Sequence, residues 1–309
     1  MKNAPFFPDL AEGPEGGTAL WARADDGVNL RIGLWPGGTR GTVFVFPGRS
    51  EYVEKYGRVA RDLAGDGWSV LAIDWRGQGL SDRLLDDVNT GHVRRFRDYQ
   101  RDVAAAIAMA EAHGFPKPWH MLAHSMGGCI GLRTLTGTHP FQSAAFSAPM
   151  WGILIAPALQ AVSRVVPRMA SLLGAGHRYA PTTDGGSYLL KNGFDDNMLT
   201  TDRDHWDYMV RHVKKQPGFR LGGPSLTWLA EALSETRRLQ AARCPDVPVR
   251  IGIAAREKIV DNAAAEAMAK GWANAALTVY DGAEHELLME RPQVRDRFLG
   301  EIKDFFSES

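Results

Sequence analysis

The sequence predicts an α/β fold in which a mostly parallel sheet is flanked by helices and carries a helical cap insertion. In the first half of the chain, short β-rich runs bounded by Gly, Pro and Asp alternate with helical patterns. The strand pattern stops after Pro149 and resumes at about residue 247. We therefore expect a core formed by residues 1–149 and 239–309, with residues 150–238 as a cap over one end of the sheet.

The predicted strands are β-forming runs that end at turn residues. They cover residues 19–24, 28–35, 42–46, 69–74, 120–124, 144–147, 247–254 and 277–281. Helices are predicted at residues 51–64, 98–113, 126–136, 262–272 and 292–306. The first two carry apolar residues at helical spacing, and the glycines of the third weaken a free helix but allow close approach to a sheet. Prolines at positions 157, 167, 181, 217 and 224 break the helical pattern of the cap into pieces.

The composition argues against several classes of protein. The 36 basic residues balance the 36 acidic ones, so there is no general attraction to nucleic acid. Cys129 and Cys244 are too few for a disulfide framework and have no metal-ligand spacing, which favours a reducing compartment. The first ten residues do not resemble a signal peptide, and no uncharged apolar run reaches membrane-spanning length. We expect a cytoplasmic protein without a metal or a nucleic-acid partner.

The strongest chemical signal is Ser125, which follows an apolar run and precedes a helical pattern. A serine hydroxyl becomes an effective nucleophile when a sharp strand-to-helix turn exposes it to a base and to oxyanion donors. Such a turn needs small residues two positions to either side, and Ala123 and Gly127 occupy these positions. On this motif alone, Ser125 could equally be an ordinary helix N-cap.

A base and an acid are available further along the chain. His285 is the only one of nine histidines that follows the last predicted strand. Glu257 is the first carboxylate beyond the strand that ends at residue 254, and we expect it to orient His285, with Asp261 as the alternative acid. A carboxylate against the imidazole fixes its tautomer and stabilises the imidazolium that forms when Ser125 loses its proton.

Acyl transfer also requires backbone donors aimed at the developing oxyanion. The amide of Met126, directly after the nucleophile, is one candidate. The second is the amide of Arg49, in the loop after the strand at residues 42–46, where Gly48 would let that amide turn inward.

Together these residues resemble the α/β-hydrolase superfamily, and the chain is similar to bacterial lysophospholipases and monoacylglycerol lipase-like proteins. The matching stretches are residues 46–51, 55–56, 74–81, 124–128, 197–200, 257–261 and 285–287. The resemblance implies an α/β-hydrolase fold, the order serine, acid, histidine, and a serine hydrolase without cofactor that cleaves lysophospholipid or monoacylglycerol esters through an acyl-enzyme. Two positions depart from the family pattern: Pro47 replaces the usual histidine, and Glu257 replaces the usual aspartate.

Two other functions remain open. The same three residues could serve an esterase, lactonase or thioesterase that acts on small soluble substrates. The scaffold could also belong to a binding protein without catalysis, although a complete set of nucleophile, base and acid argues against this.

The cap segment from Trp151 to Leu173 is apolar, with Arg164 and Arg168 interspersed. It can pack on the core, line an acyl-chain pocket, or touch a lipid surface at the inner membrane face, and these fates are compatible with one another. The oligomeric state has no signal in the sequence.

Three further patterns have a functional and a structural interpretation. Residues 77–79 imitate part of a dinucleotide fingerprint, but Asp82 stands where the third glycine belongs and no long helix follows. The arginines among residues 94–97 could meet a phosphate, although we expect an exposed loop. His205 and His212 lie near three aspartates without standard metal-ligand spacing, so we expect a solvated helix face; the aspartates are Asp202, Asp204 and Asp207.

Overall fold

The computed structural model describes residues 2–155 and 174–309. The part of the predicted cap segment at residues 156–173 therefore lies outside the described residues. Among the residues that are described, no helix combines the length and the apolar character needed to cross a bilayer.

A single eight-stranded sheet forms the centre of the fold. Its strands are β1 Thr18–Arg23, β2 Asn29–Trp35, β3 Thr42–Phe46, β4 Ser69–Asp74, β5 Trp119–His124, β6 Phe141–Ser147, β7 Val249–Ala254 and β8 Ala275–Tyr280. Their spatial order is β1-β2-β4-β3-β5-β6-β7-β8. The β1–β2 and β2–β4 pairs are antiparallel and the other pairs are parallel. The predicted mostly parallel sheet is confirmed, with strand ends displaced by three residues at most.

Helices cover both faces of this sheet. The described helices are α1 Pro8–Ala11, α2 Gly57–Gly65, α3 Tyr99–Ala112, α4 Met126–Leu135, α5 Tyr188–Lys191, α6 Arg203–Lys215, α7 Leu226–Gln240, α8 Asn262–Lys270 and α9 Pro292–Glu308. Side chains alternate along a strand, so Phe44 and Phe46 pack in the cluster that includes α3, α4, α7 and α8. Val43 and Val45 pack in the cluster that includes α2, α6 and α9. The sheet is therefore buried on both faces, as a parallel sheet requires.

The helix predicted at residues 51–64 is divided into two parts. A 3-10 turn at Val53–Tyr56 precedes α2 Gly57–Gly65. The amide of Val53 donates to Asp74 Oδ1 at 2.7 Å, which holds this turn against the end of β4. A regular α-helix from residue 51 is therefore a wrong prediction at its first turn.

A buried ion cluster fixes the same region. Arg31 on β2 donates to Asp74 at 2.7 Å and to both carboxylate oxygens of Glu54, each at 2.7 Å. All three side chains are shielded from solvent. Asp74 Oδ2 also accepts the amide of Leu80 at 2.7 Å, and a Cβ at Gly79 would overlap the Asp74 carboxylate. The loop that follows β4 is thereby tied closely to the carboxyl edge of the sheet.

Parallel strands direct their carboxyl ends to one edge of a sheet, where ligands of α/β folds bind. The segments after β3, β5, β7 and β8 therefore meet at this edge. They carry Arg49, Ser125, Glu257 and His285 in that order.

Candidate active site

Ser125 occupies a strained turn between β5 and α4. Its backbone has φ +48° and ψ −117°, a conformation that non-glycine residues rarely adopt. A Cβ at Gly127 would overlap the carbonyl oxygen of Phe46, so the small residue predicted there is needed for close approach to the end of β3. The Ser125 side chain makes no capping hydrogen bond to α4, which contradicts the N-cap interpretation.

His285 joins Ser125 to Glu257. Its Nε2 lies 2.9 Å from Ser125 Oγ, and its Nδ1 lies 2.7 Å from Glu257 Oε2. The second carboxylate oxygen of Glu257 accepts the amides of Lys258, Ile259 and Val260 at 2.8 to 3.2 Å. Burial by itself raises the pKa of Glu257, but the hydrogen bond from His285 and the amide donors outweigh it and lower this pKa below its usual value.

The alternative acid does not reach this cluster of side chains. Asp261 is the N-cap of α8 and accepts the amide of Ala263 at 3.0 Å. The structure therefore brings Ser125, His285 and Glu257 together and leaves Asp261 in a capping position, a common place for aspartate.

A side chain from the loop after β4 holds the loop after β3 in place. Gln78 Nε2 donates to the carbonyls of Gly48, at 2.8 Å, and Glu51, at 3.2 Å. In the described residues, the amides of Arg49 and Met126 donate to no protein acceptor. The dinucleotide-like residues 77–79 thus serve as a support for the loop that carries the first of these two amides.

A buried polar network that the sequence analysis missed lies beside His285. Lys55 Nζ contacts the carboxylates of both Glu51 and Glu286, the latter at 2.6 Å. His124 Nε2 lies 3.3 Å from Glu286, and the His124 ring centroid lies 4.8 Å from that of His285. The spacing of four residues between Glu51 and Lys55 is a possible sequence signal, whereas Glu286 is 231 residues from Lys55 and has none.

Electrostatics in this network favour charged groups. Burial opposes the ionisation of Glu286, but Lys55 and His124 outweigh burial and hold the pKa of Glu286 well below its usual value. Burial likewise opposes protonation of His124, yet the carboxylates of Glu286 and Glu51 raise its pKa. Glu51, His124 and Glu286 are close enough to suggest a cation site, but the ammonium of Lys55 already bridges the two carboxylates.

The expectation of a solvated face for the two histidines on α6 is wrong. His212 is fully buried and its Nε2 donates to the carbonyl of Leu10 at 2.6 Å, while His205 is nearly buried. Asp204 and Asp207, on the same helix, are exposed. The helix packs against α1 through His212. The spacing of seven residues, two helical turns, could have indicated that the two histidines share one face of the helix. The arginines among residues 94–97 are exposed, as predicted.

A cavity of about 390 Å³ is lined in part by Ser125 and His285. More than half of its lining comes from residues between 150 and 238. Most lining side chains are apolar, and they include Met150, Ile153, Leu189, Met198, Leu199, Met209, Val213, Phe219, Leu221, Trp228, Leu229, Ile259 and Val260. Trp151 does not line the cavity and is buried, with its indole donating to the carbonyl of Gly128 at 3.0 Å.

Comparisons with known proteins agree with this architecture. The family model described as serine aminopeptidase, S33 matches residues 37–292. The chain is 34% identical to lysophospholipase L2 of Escherichia coli, over 86% of this chain and 80% of that protein. It is 32% identical to the probable lysophospholipase L2 of Haemophilus influenzae, over 84% of this chain and 82% of that protein.

The fold is also that of solved lipases. A soluble variant of monoglyceride lipase from Saccharomyces cerevisiae, in complex with a substrate analog, superposes with a TM-score of 0.72 over 94% of both chains at 21% identity. The resemblance noted in the sequence is confirmed. This chain belongs to the serine aminopeptidase S33 family of α/β-hydrolases, among its lysophospholipase and monoacylglycerol lipase-like members.

Proposed function

We propose that the protein is a serine hydrolase that cleaves carboxylic esters of lipid-like substrates, either lysophospholipids or monoacylglycerols, through an acyl-enzyme intermediate. The observation that carries this proposal is the hydrogen-bonded series of Glu257, His285 and Ser125 at the end of a largely apolar cavity. The names of the relatives, lysophospholipase L2 and monoacylglycerol lipase, support the same substrate class.

Acylation begins when Ser125 Oγ attacks the ester carbonyl carbon. His285 Nε2 accepts the hydroxyl proton, and Glu257 stabilises the imidazolium that results. The amides of Arg49 and Met126 donate to the carbonyl oxygen as it becomes negatively charged. When the C–O bond breaks, His285 returns the proton to the departing alkoxide, so that a free alcohol leaves and an acyl group remains on Ser125.

Deacylation repeats this sequence with water. His285 removes a proton from the water that attacks the acyl carbonyl, and the same two amides hold the second oxyanion. The intermediate then collapses, His285 protonates Ser125 Oγ, and the fatty acid leaves. Each proton taken by His285 is returned, so the cycle is balanced without a cofactor.

The cavity suits an acyl chain, because each methylene group that is buried against apolar side chains contributes about 0.8 kcal/mol of favourable free energy to binding. We further propose that residues 150–238 form a cap on a core of residues 1–149 and 239–309, since the cap residues supply most of the lining. Contact of the cap with a membrane surface and cytoplasmic residence both remain predictions.

Labelling with a fluorophosphonate tests the assignment of Ser125. We expect peptide mapping to find the probe on Ser125, and Ser125→Ala to lower kcat for lauroyl and other long-chain esters by on the order of 10⁴-fold or more. Ser187→Ala is the matched control, because Ser187 also lines the cavity but makes no side-chain capping bond. Labelling of a different serine would overturn the assignment, and an optimum at acetate esters would favour a small soluble substrate.

A further inference from the structure

Arg49 lines the cavity, and its guanidinium has no carboxylate partner in residues 2–155 and 174–309. Its Nη2 donates to the carbonyl of Gly222 at 2.5 Å and its Nη1 lies 3.3 Å from Ser50 Oγ. Its Nε is buried and has no acceptor among the described residues. The other charged groups at the cavity, Glu51, Lys55 and Glu286, pair with one another and with His124 in the network beside His285.

The fold makes room for this side chain. A Cβ at Gly91 would overlap Arg49 Nη2, so the absence of a side chain at Gly91 creates the space that the guanidinium fills. The guanidinium carbon lies 5.4 Å from the ring centroid of Trp228, whose indole donates to Tyr99 at 3.1 Å. Cation–π contact and two oxygen acceptors hold the group in place but supply no negative charge.

An uncompensated cation in such a position is costly. Burial lowers the pKa of Arg49 to about 10, so the side chain still carries its charge at neutral pH. Its contacts with Gly222 and Trp228, both in the predicted cap, place the charge where the cap meets the loop after β3. A ligand anion at this position would restore neutrality and use the donors that remain free.

We infer that the Arg49 guanidinium binds the phosphate of a lysophospholipid, so that the enzyme prefers phosphate-bearing lipid esters to neutral monoacylglycerols. This inference rests on the proposed function and names the substrate within it. In a lysophospholipid a three-carbon glycerol unit separates the ester from the phosphate, so the phosphate must bind a short distance from the oxyanion donors. Arg49 meets that requirement, because one residue carries both the candidate oxyanion amide and the guanidinium, whose planar fork suits phosphate oxygens.

The test compares two substrates that differ only in the phosphate. These are a 1-acyl-glycerol 3-phosphate and a monoacylglycerol with the same acyl chain, both kept monomeric. We expect kcat/KM of the wild-type protein to be higher for the phosphate ester. In Arg49→Met the ratio of the two values should fall by on the order of 10-fold or more, mainly through KM for the phosphate ester, since the backbone amide is retained. Arg40→Met, at the opposite end of β3, is the matched control and should leave the ratio unchanged.

Equal losses on both substrates in Arg49→Met would overturn the inference and leave the proposed function intact. If the wild-type protein hydrolyses neither ester, the proposed function itself fails. A second measurement uses only the wild-type protein, so it does not depend on the folding of a variant. It compares inhibition by an alkyl ether of glycerol 3-phosphate with inhibition by the matching alkylglycerol. Stronger inhibition by the phosphate supports the inference, and equal inhibition contradicts it.

Discussion

Glu257 and Asp261 both carry carboxylates and both lie in the loop after β7. They are four positions apart in the sequence, but their roles are unrelated. Glu257 Oε2 lies 2.7 Å from His285, whereas Asp261 accepts an amide at the start of α8. The longer side chain of glutamate reaches His285 while its other oxygen accepts three backbone amides. The substitution of glutamate for the usual aspartate is therefore compatible with the geometry that a base requires.

Substitution of each carboxylate by its isosteric amide shows which of the two residues is the catalytic acid. We expect Glu257→Gln to lower kcat by on the order of 10⁴-fold, because a neutral amide neither stabilises the imidazolium nor enforces the required tautomer. Asp261→Asn should retain wild-type turnover, since asparagine caps a helix as well as aspartate does. Steady-state kinetics of the two variants on one ester make the comparison. Loss of turnover in Asp261→Asn alone would mean that the acid has been wrongly assigned.

At the scale of elements, the turn from β5 into α4 determines where the nucleophile lies. The turn approaches the end of β3 so closely that only a glycine fits at position 127, and Ser125 has a positive φ. The same approach brings the start of α4 next to Pro47, at the beginning of the loop that carries Arg49. A small change in helix position therefore alters nucleophile and oxyanion donor together.

Two glycine-to-alanine substitutions test the close approach. Gly127→Ala should lower the free energy of unfolding by about 2 kcal/mol and reduce kcat, because the new methyl group meets backbone that cannot move away. Gly300→Ala, on α9, is the matched control: a Cβ there meets nothing within 4 Å, so we expect a gain of about 0.5 to 1 kcal/mol. Denaturant unfolding measures both. A Gly127→Ala protein with unchanged stability and turnover would rule out this account of the turn.

At the scale of the whole molecule, helix α6 is joined to the amino-terminal segment by buried hydrogen bonds. His212 donates to Leu10, and the hydroxyl of Tyr208 lies 2.9 Å from the carbonyl of Ala11. Burial lowers the pKa of His212 to about 3. This side chain is therefore neutral in the folded protein at a pH where it is already protonated in the unfolded chain.

That difference predicts acid sensitivity. As the pH falls below about 6.5, the unfolded chain gains a proton at position 212 that the folded protein does not, so stability falls with pH until about pH 3. When the pH is lowered from about 8 to about 5, we expect His212 to reduce the free energy of unfolding by about 2 kcal/mol. His212→Gln should show a correspondingly smaller loss in urea unfolding, and exposed His113→Gln should behave as wild type. Equal pH dependence in all three proteins would contradict this role of His212.

Local patterns in the sequence were sufficient for much of the fold. Turn residues and β-forming runs located all eight strands, and the glycines after Ser125 predicted a tight approach. Local patterns failed where a distant group intervenes. The first turn of the helix predicted from residue 51 is a 3-10 turn bound to Asp74, and α1 covers His212, which was expected in solvent.

By itself, the sequence determined the α/β class, the family, and the positions of Ser125 and His285 in their respective turns, because each depends on neighbouring residues. Tertiary structure alone decided which carboxylate lies against His285, that Lys55 bridges Glu51 and Glu286, and that Arg49 faces the cavity without a carboxylate partner among the described residues. Those contacts join segments that are far apart in the chain, and the packing of the sheet edge, rather than any local spacing, sets the distances between them.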